Sequence, residues 1–158
     1  MQITDFTGMK EKNDPIEEFQ GEFRWLSNFM PVTIVLDGVT FPSVEHAYVS
    51  SKKDDKEWIE ICSKGGLTSA QIKNMGKGIT TIKNVVVMTE CLRQKFNQEP
   101  YKTKLIETGD RYIQEGNRWN DTFWGFCLKT NTGENNLGKI IMEIRDELKA
   151  LINEETNL

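Results

Sequence analysis

The stretch that decides the fold runs from Val32 to Lys53 and reads VTIVLDGVTFPSVEHAYVSSKK. Its first part places β-branched and apolar residues on both sides of Asp37-Gly38. Because both residues of such a pair tolerate positive φ angles, an Asp-Gly pair between two β-rich runs is a strong signal for a tight turn. The sequence therefore predicts a β-hairpin with strands at residues 32–36 and 39–41.

A helix is expected to start directly after this hairpin. Ser43 is a suitable N-cap, and the helix is predicted to run to about Ser63, where two glycines follow. At roughly 100° per residue, the seven-residue spacing of Glu45 and Lys52 returns both side chains to one face of a helix. A carboxylate and an amine on one face fit an acid/base and nucleophile pair. They fit an exposed ion pair without function equally well.

The rest of the chain is predicted to be mostly helical. A Gly or Pro bounds several of the segments, and those at 84–96 and 136–153 carry apolar residues at helical spacing, among them Val85, Met88, Leu92 and Phe96. The sequence favours a predominantly α-helical α+β single domain with a small hairpin, in which a flexible lead-in at residues 1–18 precedes a domain at 19–158. Helices are expected at residues 68–75, 84–96, 101–109 and 136–153, and short strands with loops at 110–126.

The composition bounds the class of protein. The chain has 158 residues, a formal net charge of −4, and 8 Phe, 4 Trp and 3 Tyr, which is enough apolar material for one globular core. A net negative charge gives no overall positive potential that would attract the protein to nucleic acid. The first residues lack the basic start and apolar run of a signal peptide, and no apolar run is long enough to span a membrane. We expect a cytoplasmic protein; the sequence gives no indication of its oligomeric state.

The three cysteines do not form a metal or disulfide pattern. They lie far apart at Cys62, Cys91 and Cys127, without a Cys-x-x-Cys pair, and only one histidine accompanies them. Buried free thiols in a reducing compartment are the simpler interpretation. We expect neither a metal ion nor another cofactor.

Six short motifs occur in order across the chain and together resemble one family. The similarity covers about residues 20 to 150, and no motif is specific alone. The combination of SNF, EHA with a lysine seven residues after its glutamate, WG and G-x-N-x-L-G resembles the NADAR family (NAD- and ADP-ribose-associated), also called YbiA-like. The motifs are LSNFMP (26–31), LDGVTFPSVEHAYVSSK (36–52), VMTECLRQKF (87–96), LIETGD (105–110), DTFWG (121–125) and GENNLGKIIMEIRDEL (133–148).

The resemblance implies a YbiA-like fold and cleavage of an N-glycosidic bond at a ribosyl C1′. One branch of the family hydrolyses phosphoribosylamino-pyrimidine intermediates of riboflavin biosynthesis, and another removes ADP-ribose from guanine bases, including bases of nucleic acid. The absence of a fused riboflavin-pathway domain leaves the choice between the branches open, and we slightly favour ADP-ribose-linked substrates because a stand-alone domain could serve repair or defence. The alternative is a non-catalytic sensor of ADP-ribose or NAD-derived ligands. The family's usual glutamine-alanine pair is replaced here in Val49-Ser50-Ser51, which bears on substrate choice.

Three residues are predicted to carry the chemistry. A neutral Lys52 amine could attack C1′ and form a Schiff base, provided that burial or neighbouring cations lower its pKa. Glu45, in the first helical turn, could stabilise positive charge on the sugar or pass a proton to the leaving nitrogen. Asp121 matches the family's acidic residue and could orient water or ribose hydroxyls. Its alternative is a turn residue after Asn120.

Eight further residues are predicted to bind the substrate. Asn28 and its neighbours could bond ribose or base, or form a turn before Pro31. His46 could hold a phosphate or Glu45, or be a buried structural histidine, and Trp124 could stack on a base or be a core aromatic. Asn135 opens the last helix and could place a phosphate at its N-terminus, or act only as an N-cap. The predicted binding residues are Ser27, Asn28, Phe29, His46, Trp124, Gly125, Asn135 and Gly138.

Overall fold

The computed structural model describes residues 13–82 and 84–156. Within them lie six α-helices, four short strands and a 3-10 helix at Gly21–Leu26 that the sequence analysis did not predict. The fold is α+β and predominantly helical, as predicted. In chain order the elements are β1 (Pro31–Leu36), β2 (Val39–Ser43), α1 (Val44–Ser50), α2 (Lys56–Lys64), α3 (Ser69–Met75), α4 (Asn84–Phe96), α5 (Tyr101–Glu107), β3 (Gly116–Asn117), β4 (Phe126–Cys127) and α6 (Asn136–Thr156).

The predicted hairpin is confirmed. Strands β1 and β2 pair antiparallel, with Leu36 opposite Val39. Asp37 and Gly38 have φ angles of 48° and 79°, the left-handed conformations of a two-residue hairpin turn. Strand β2 continues to Ser43, whose side chain then caps α1 by accepting a hydrogen bond from the backbone amide of His46.

The single long helix predicted from Ser43 to about Ser63 is wrong. Helix α1 ends at Ser50, and α2 begins at Lys56. The hydroxyls of Ser50 and Ser51 donate to backbone carbonyls three residues back, and the Asp55 carboxylate caps α2 by accepting from the amide of Trp58. These side chains compete with helical bonding, so the chain leaves the helix between them. Lys52 therefore lies after α1, and the helical spacing argument for it does not hold.

The other predicted helices are confirmed with small shifts at their ends. Thr68 forms a capping box with Gln71 at the start of α3. Helix α4 has the predicted bounds, and Met88, Leu92 and Phe96 are buried, whereas Val85 of the same predicted stripe is exposed. Helix α6 extends three residues beyond the predicted end, to Thr156.

The chain divides into two compact units. The α1 unit is Arg24–Lys102, and in it α1 packs against both hairpin strands and against α2, α3 and α4. Six of the seven residues of α1 are buried, which makes this short helix the centre of the unit. Each residue that α1 carries is thus held by packing on most sides.

The α6 unit comprises Met1–Phe23 with Thr103–Leu158. Helix α6 buries an apolar face, and strands β3 and β4 pair parallel over two residues each. Of the lead-in predicted for residues 1–18, residues 1–12 lie outside the described part. In the remainder, Ile16 is 1% exposed and pairs with Ile113, its amide donating to the Tyr112 carbonyl at 2.8 Å. The domain boundary at residue 19 stays a prediction.

Candidate functional site

Lys52 is held in a defined position by the end of α3. Its Nζ donates to the carbonyl of Gly76 at 2.9 Å and lies 5.5 Å from the ring centroid of Tyr48. A Cβ at Gly76 would collide with the methyl groups of Val49 and would make only ordinary van der Waals contact with Cδ of Lys52. The glycine therefore lets the end of α3 pack closely on Val49, and the half-buried Lys52 side chain lies along the same turn.

Burial and Glu45 act in opposite directions on the Lys52 amine. Burial lowers the pKa of Lys52 and is the larger effect, while the negative charge of Glu45 raises that pKa. The amine is thus neutral more often than an exposed lysine at the same pH, as a nucleophile requires. Glu45 lies in the first turn of α1, where its backbone amide donates to the Asn28 carbonyl at 3.1 Å.

Both ring nitrogens of His46 are engaged inside the α1 unit. Nε2 lies 2.8 Å from the Leu67 carbonyl, and Nδ1 lies 2.6 Å from Oγ of Ser43. Because a carbonyl only accepts, Nε2 carries the proton, and in the neutral ring Nδ1 accepts from the serine hydroxyl. With the side chain 5% exposed, this geometry favours the structural alternative over contact with a phosphate.

The Ser27–Phe29 segment lies against the start of α1. Oγ of Ser27 accepts from the Phe29 amide at 3.1 Å, and the Asn28 carbonyl holds the amide of Glu45. Nδ2 of Asn28 points to the Met88 sulfur at 3.5 Å. Oδ1 of Asn28 is buried, with no hydrogen-bond partner among the described residues. Such an unsatisfied acceptor costs roughly 1–3 kcal/mol, so it suits a donor supplied by a ligand.

Sequence reasoning missed Lys95, a completely buried lysine in α4. Its Nζ donates to the Ser27 carbonyl at 2.7 Å and lies 4.8 Å and 5.1 Å from the ring centroids of Tyr101 and Phe96. The available signal was its position on the apolar face, one helical turn after Leu92. Lys95 connects α4 to the segment that carries Asn28.

In the α6 unit, Asn135 is fully engaged by the protein. It is 2% exposed and has a φ of 53°. Its Oδ1 accepts from the Glu115 amide at 2.9 Å, and its Nδ2 donates to the Ile113 carbonyl at 2.9 Å and to the Tyr112 hydroxyl at 3.1 Å. The side chain therefore ties the start of α6 to the 112–115 segment.

The backbone amides at the start of α6 also have protein partners. The amides of Asn136 and Leu137 donate to the carbonyls of Phe123 and Trp124 at 3.2 Å and 2.9 Å, and that of Asn135 donates to Gly125. An anion at a helix N-terminus needs such amides to be available. The phosphate position predicted at Asn135 thus has little support from this geometry.

The predicted glycines of the α6 unit lie where backbone and side chains come very close. A Cβ at Gly125 would collide with Glu115, and one at Gly138 would collide with the Ile113 carbonyl and the Asn135 side chain. Trp124 is partly exposed, and its ring meets that of Phe123 edge-on at a centroid distance of 4.9 Å. The two glycines therefore serve close packing, and Trp124 retains some exposed surface.

Asp121 organises the turn that carries Trp124. Its Oδ1 accepts from the amides of Phe123 at 3.2 Å and Trp124 at 3.0 Å. Asn117 holds the Asp121 backbone from both sides, accepting from its amide and donating to its carbonyl. These bonds are those of an Asx-type turn.

Replacing Asp121 by alanine is expected to lower the free energy of unfolding by about 1–2 kcal/mol, because two amides of the turn lose their acceptor. Urea unfolding followed by tryptophan fluorescence measures this. Asp121→Asn keeps an acceptor oxygen and is the matched control, expected to unfold like the wild type. If Asp121→Ala unfolds at the wild-type urea concentration, the turn does not depend on this carboxylate.

The predicted site residues fall into two groups. Ser27, Asn28, Phe29, Glu45, His46 and Lys52 belong to the α1 unit, and Asp121, Trp124, Gly125, Asn135 and Gly138 to the α6 unit. Within the described ranges 13–82 and 84–156, no three His, Cys, Asp or Glu residues are placed to hold a metal ion, and no helix is long and apolar enough to cross a membrane. The three cysteines are free and buried, as predicted.

Comparison with known proteins agrees with the resemblance seen in the motifs. The chain is 30% identical to the N-glycosidase YbiA of Shigella boydii, over 77% of this chain and 79% of that protein. It is 33% identical over 79% of its length to a riboflavin biosynthesis protein of Vibrio vulnificus, but spans only 35% of that longer protein. The NMR structure of the E. coli protein YbiA superposes with a TM-score of 0.75 at 27% identity, covering 90% of this chain and 89% of that one. A model of the NADAR domain matches residues 11–149, and the chain belongs to the NADAR domain family.

Proposed function

We propose that the chain is an N-glycosidase that hydrolyses the C1′ N-glycosidic bond of a ribosylated base. The family assignment and relatives named N-glycosidases support this class of reaction. The main structural support is the environment of Lys52. Burial lowers the pKa of this half-buried amine, and the negative charge of Glu45 acts on it in the opposite direction. This combination gives a nucleophile and a carboxylate in one compact unit.

The chemistry proceeds through an imine. The neutral Lys52 amine attacks C1′ and gives one proton to the Glu45 carboxylate, which passes that proton to the base nitrogen as the bond from C1′ to the base breaks. The ribose ring then opens as the remaining Nζ proton moves to the ring oxygen, which gives a Schiff base between Nζ and C1′. Water then adds to C1′, the C–N bond breaks, and the free sugar and the neutral amine are restored. Atoms and charges balance without a metal or redox partner.

Two substrates remain candidates, and both carry a ribosyl phosphate. The riboflavin biosynthesis relative favours a phosphoribosylamino-pyrimidine, although this chain spans only about a third of that protein. The other candidate is a guanine base linked to ADP-ribose, free or in nucleic acid. The motif resemblance to the NADAR family supports it.

The test is release of the base from each substrate, measured by chromatography with enzyme in catalytic amount. We expect multiple turnovers of one of the two compounds. Absence of release from both, together with tight binding of ADP-ribose, would exclude the glycosidase and favour a sensor.

A further inference from the structure

Two basic side chains lie near the same aromatic ring, that of Phe29, which follows Asn28 in the chain. The guanidinium carbon of Arg24 lies 5.7 Å from the ring centroid of Phe29, and Nζ of Lys73 lies 5.8 Å from the same centroid. Both basic side chains are exposed, and attraction to the ring holds their charged ends near it. We call these three residues the Phe29 cluster.

Helix α3 connects the Phe29 cluster to Lys52. Near its start, the Ser69 hydroxyl donates to the Phe29 carbonyl at 3.0 Å, and at its end the Gly76 carbonyl accepts from the Lys52 amine. Lys73 lies between them. At a rise of about 1.5 Å per residue, Lys73 is only about 4.5 Å along the helix axis from Gly76.

The same segment holds an unsatisfied acceptor. Oδ1 of Asn28 is buried without a partner among the described residues, and Asn28 precedes Phe29 directly. The positive charge of Arg24 also acts on the buried Lys95: together with burial, which is the larger effect, it lowers the pKa of Lys95. The two cations, Arg24 and Lys73, together with the unsatisfied acceptor of Asn28 suit a ligand with an anionic group and a hydroxyl donor.

We propose that Arg24 and Lys73 bind the phosphate of the ribosyl substrate, and that Oδ1 of Asn28 accepts a hydrogen bond from one of its sugar hydroxyls. This inference rests on the proposed function and names the group that it recognises. Phosphoribosyl and ADP-ribosyl substrates both carry a phosphate on the ribose. Helix α3 contacts the cluster through Ser69 and the Lys52 amine through Gly76, whereas the amides at the start of α6 are bonded to carbonyls.

The test is calorimetric binding of ribose 5-phosphate, ADP-ribose and ribose. We expect the wild type to bind both phosphorylated compounds more tightly than ribose, and added salt to weaken that binding. Arg24→Gln and Lys73→Gln should each weaken ribose 5-phosphate binding about 10-fold, since each removes a charge-assisted hydrogen bond, and leave ribose binding unchanged. Lys64→Gln, an exposed lysine at the end of α2, is the matched control and should bind like the wild type.

The proposal is overturned if both variants bind ribose 5-phosphate as the wild type does, or if the wild type does not prefer it to ribose. Its failure is distinct from failure of the glycosidase. Loss of phosphate affinity in a protein that releases no base keeps the phosphate site and rejects the reaction. If base is released and both variants bind phosphate as the wild type does, the reaction is kept and the phosphate site is rejected. Comparing ribose 5-phosphate with ADP-ribose tells whether one phosphate suffices.

Discussion

Lys52→Met is expected to slow base release by about a thousand-fold or more, because the substitution removes the group that bonds to C1′. The methionine side chain keeps most of the apolar length that lies along the turn at Gly76. The Gly76 carbonyl loses the lysine donor but keeps the amide of Ile79, at 3.2 Å, as a partner. The variant should therefore fold and bind ribose 5-phosphate like the wild type, so the loss falls on the chemical step.

The matched control for this prediction is Lys53→Met. Lys53 is exposed and lies 4.5 Å from the ring centroid of Trp58. It neighbours Lys52 in sequence but is not held against α3. Base release should continue at nearly the wild-type rate.

Borohydride gives a second readout that a structural role of Lys52 would not affect. It reduces an imine to a stable amine, so mass spectrometry of the wild type and of Lys53→Met should find the sugar on the peptide that contains Lys52. Turnover of Lys52→Met at the wild-type rate, or an adduct on another lysine, would reject the Schiff-base mechanism.

The elements of this fold follow largely from local signals. Asp37-Gly38 fixes the hairpin, Thr68 with Gln71 starts α3, and the apolar spacing of α4 gives its bounds. The break between α1 and α2 was missed because the glycines after Ser63 are a stronger stop signal than two serines. The serine hydroxyls end α1 only because they turn back to its carbonyls, and sequence spacing does not show this.

The candidate site was less predictable, because its geometry depends on contacts between distant segments. The amine of Lys95 meets the Ser27 carbonyl across 68 positions of the chain, and nothing near either residue indicates the other. The same holds for Lys52, whose position is set by the Gly76 carbonyl rather than by a helix shared with Glu45. Sequence motifs indicated the candidate segment, and tertiary packing decided how its charges are arranged.

The second prediction concerns Lys95 and the pH dependence of the free energy of unfolding. Burial and the charge of Arg24 lower the pKa of Lys95 from 10.5 to about 7. Below this value the lysine is charged in both states, and the folded protein bears the cost of a buried charge. Above it the folded state loses the proton while the unfolded state keeps it up to about its ordinary pKa. The unfolded state then binds more protons, so wild-type stability should rise by up to about 1.4 kcal/mol per pH unit in this window.

Lys95→Met removes this titration while filling a similar volume. The Ser27 carbonyl keeps the Met30 amide, at 3.2 Å, as a donor, so no acceptor is left unsatisfied. Replacing a buried charge by an apolar side chain is often neutral or stabilising. We therefore expect the variant to be at least as stable as the wild type near pH 7, and to lose that advantage steadily as the pH rises.

Urea unfolding of both proteins at a series of pH values above 7 measures the difference. Burial raises the pKa of Cys62 to about 11 and of Cys91 to about 12, so these thiols ionise first in the unfolded state and lower stability at alkaline pH. That effect is common to both proteins and cancels in their difference. Lys64→Met, at an exposed position, should differ from the wild type by an amount independent of pH. If Lys95→Met also differs by a constant amount, Lys95 stays charged inside the fold. The Ser27 carbonyl and the faces of Phe96 and Tyr101 must then stabilise its ammonium group enough to offset burial.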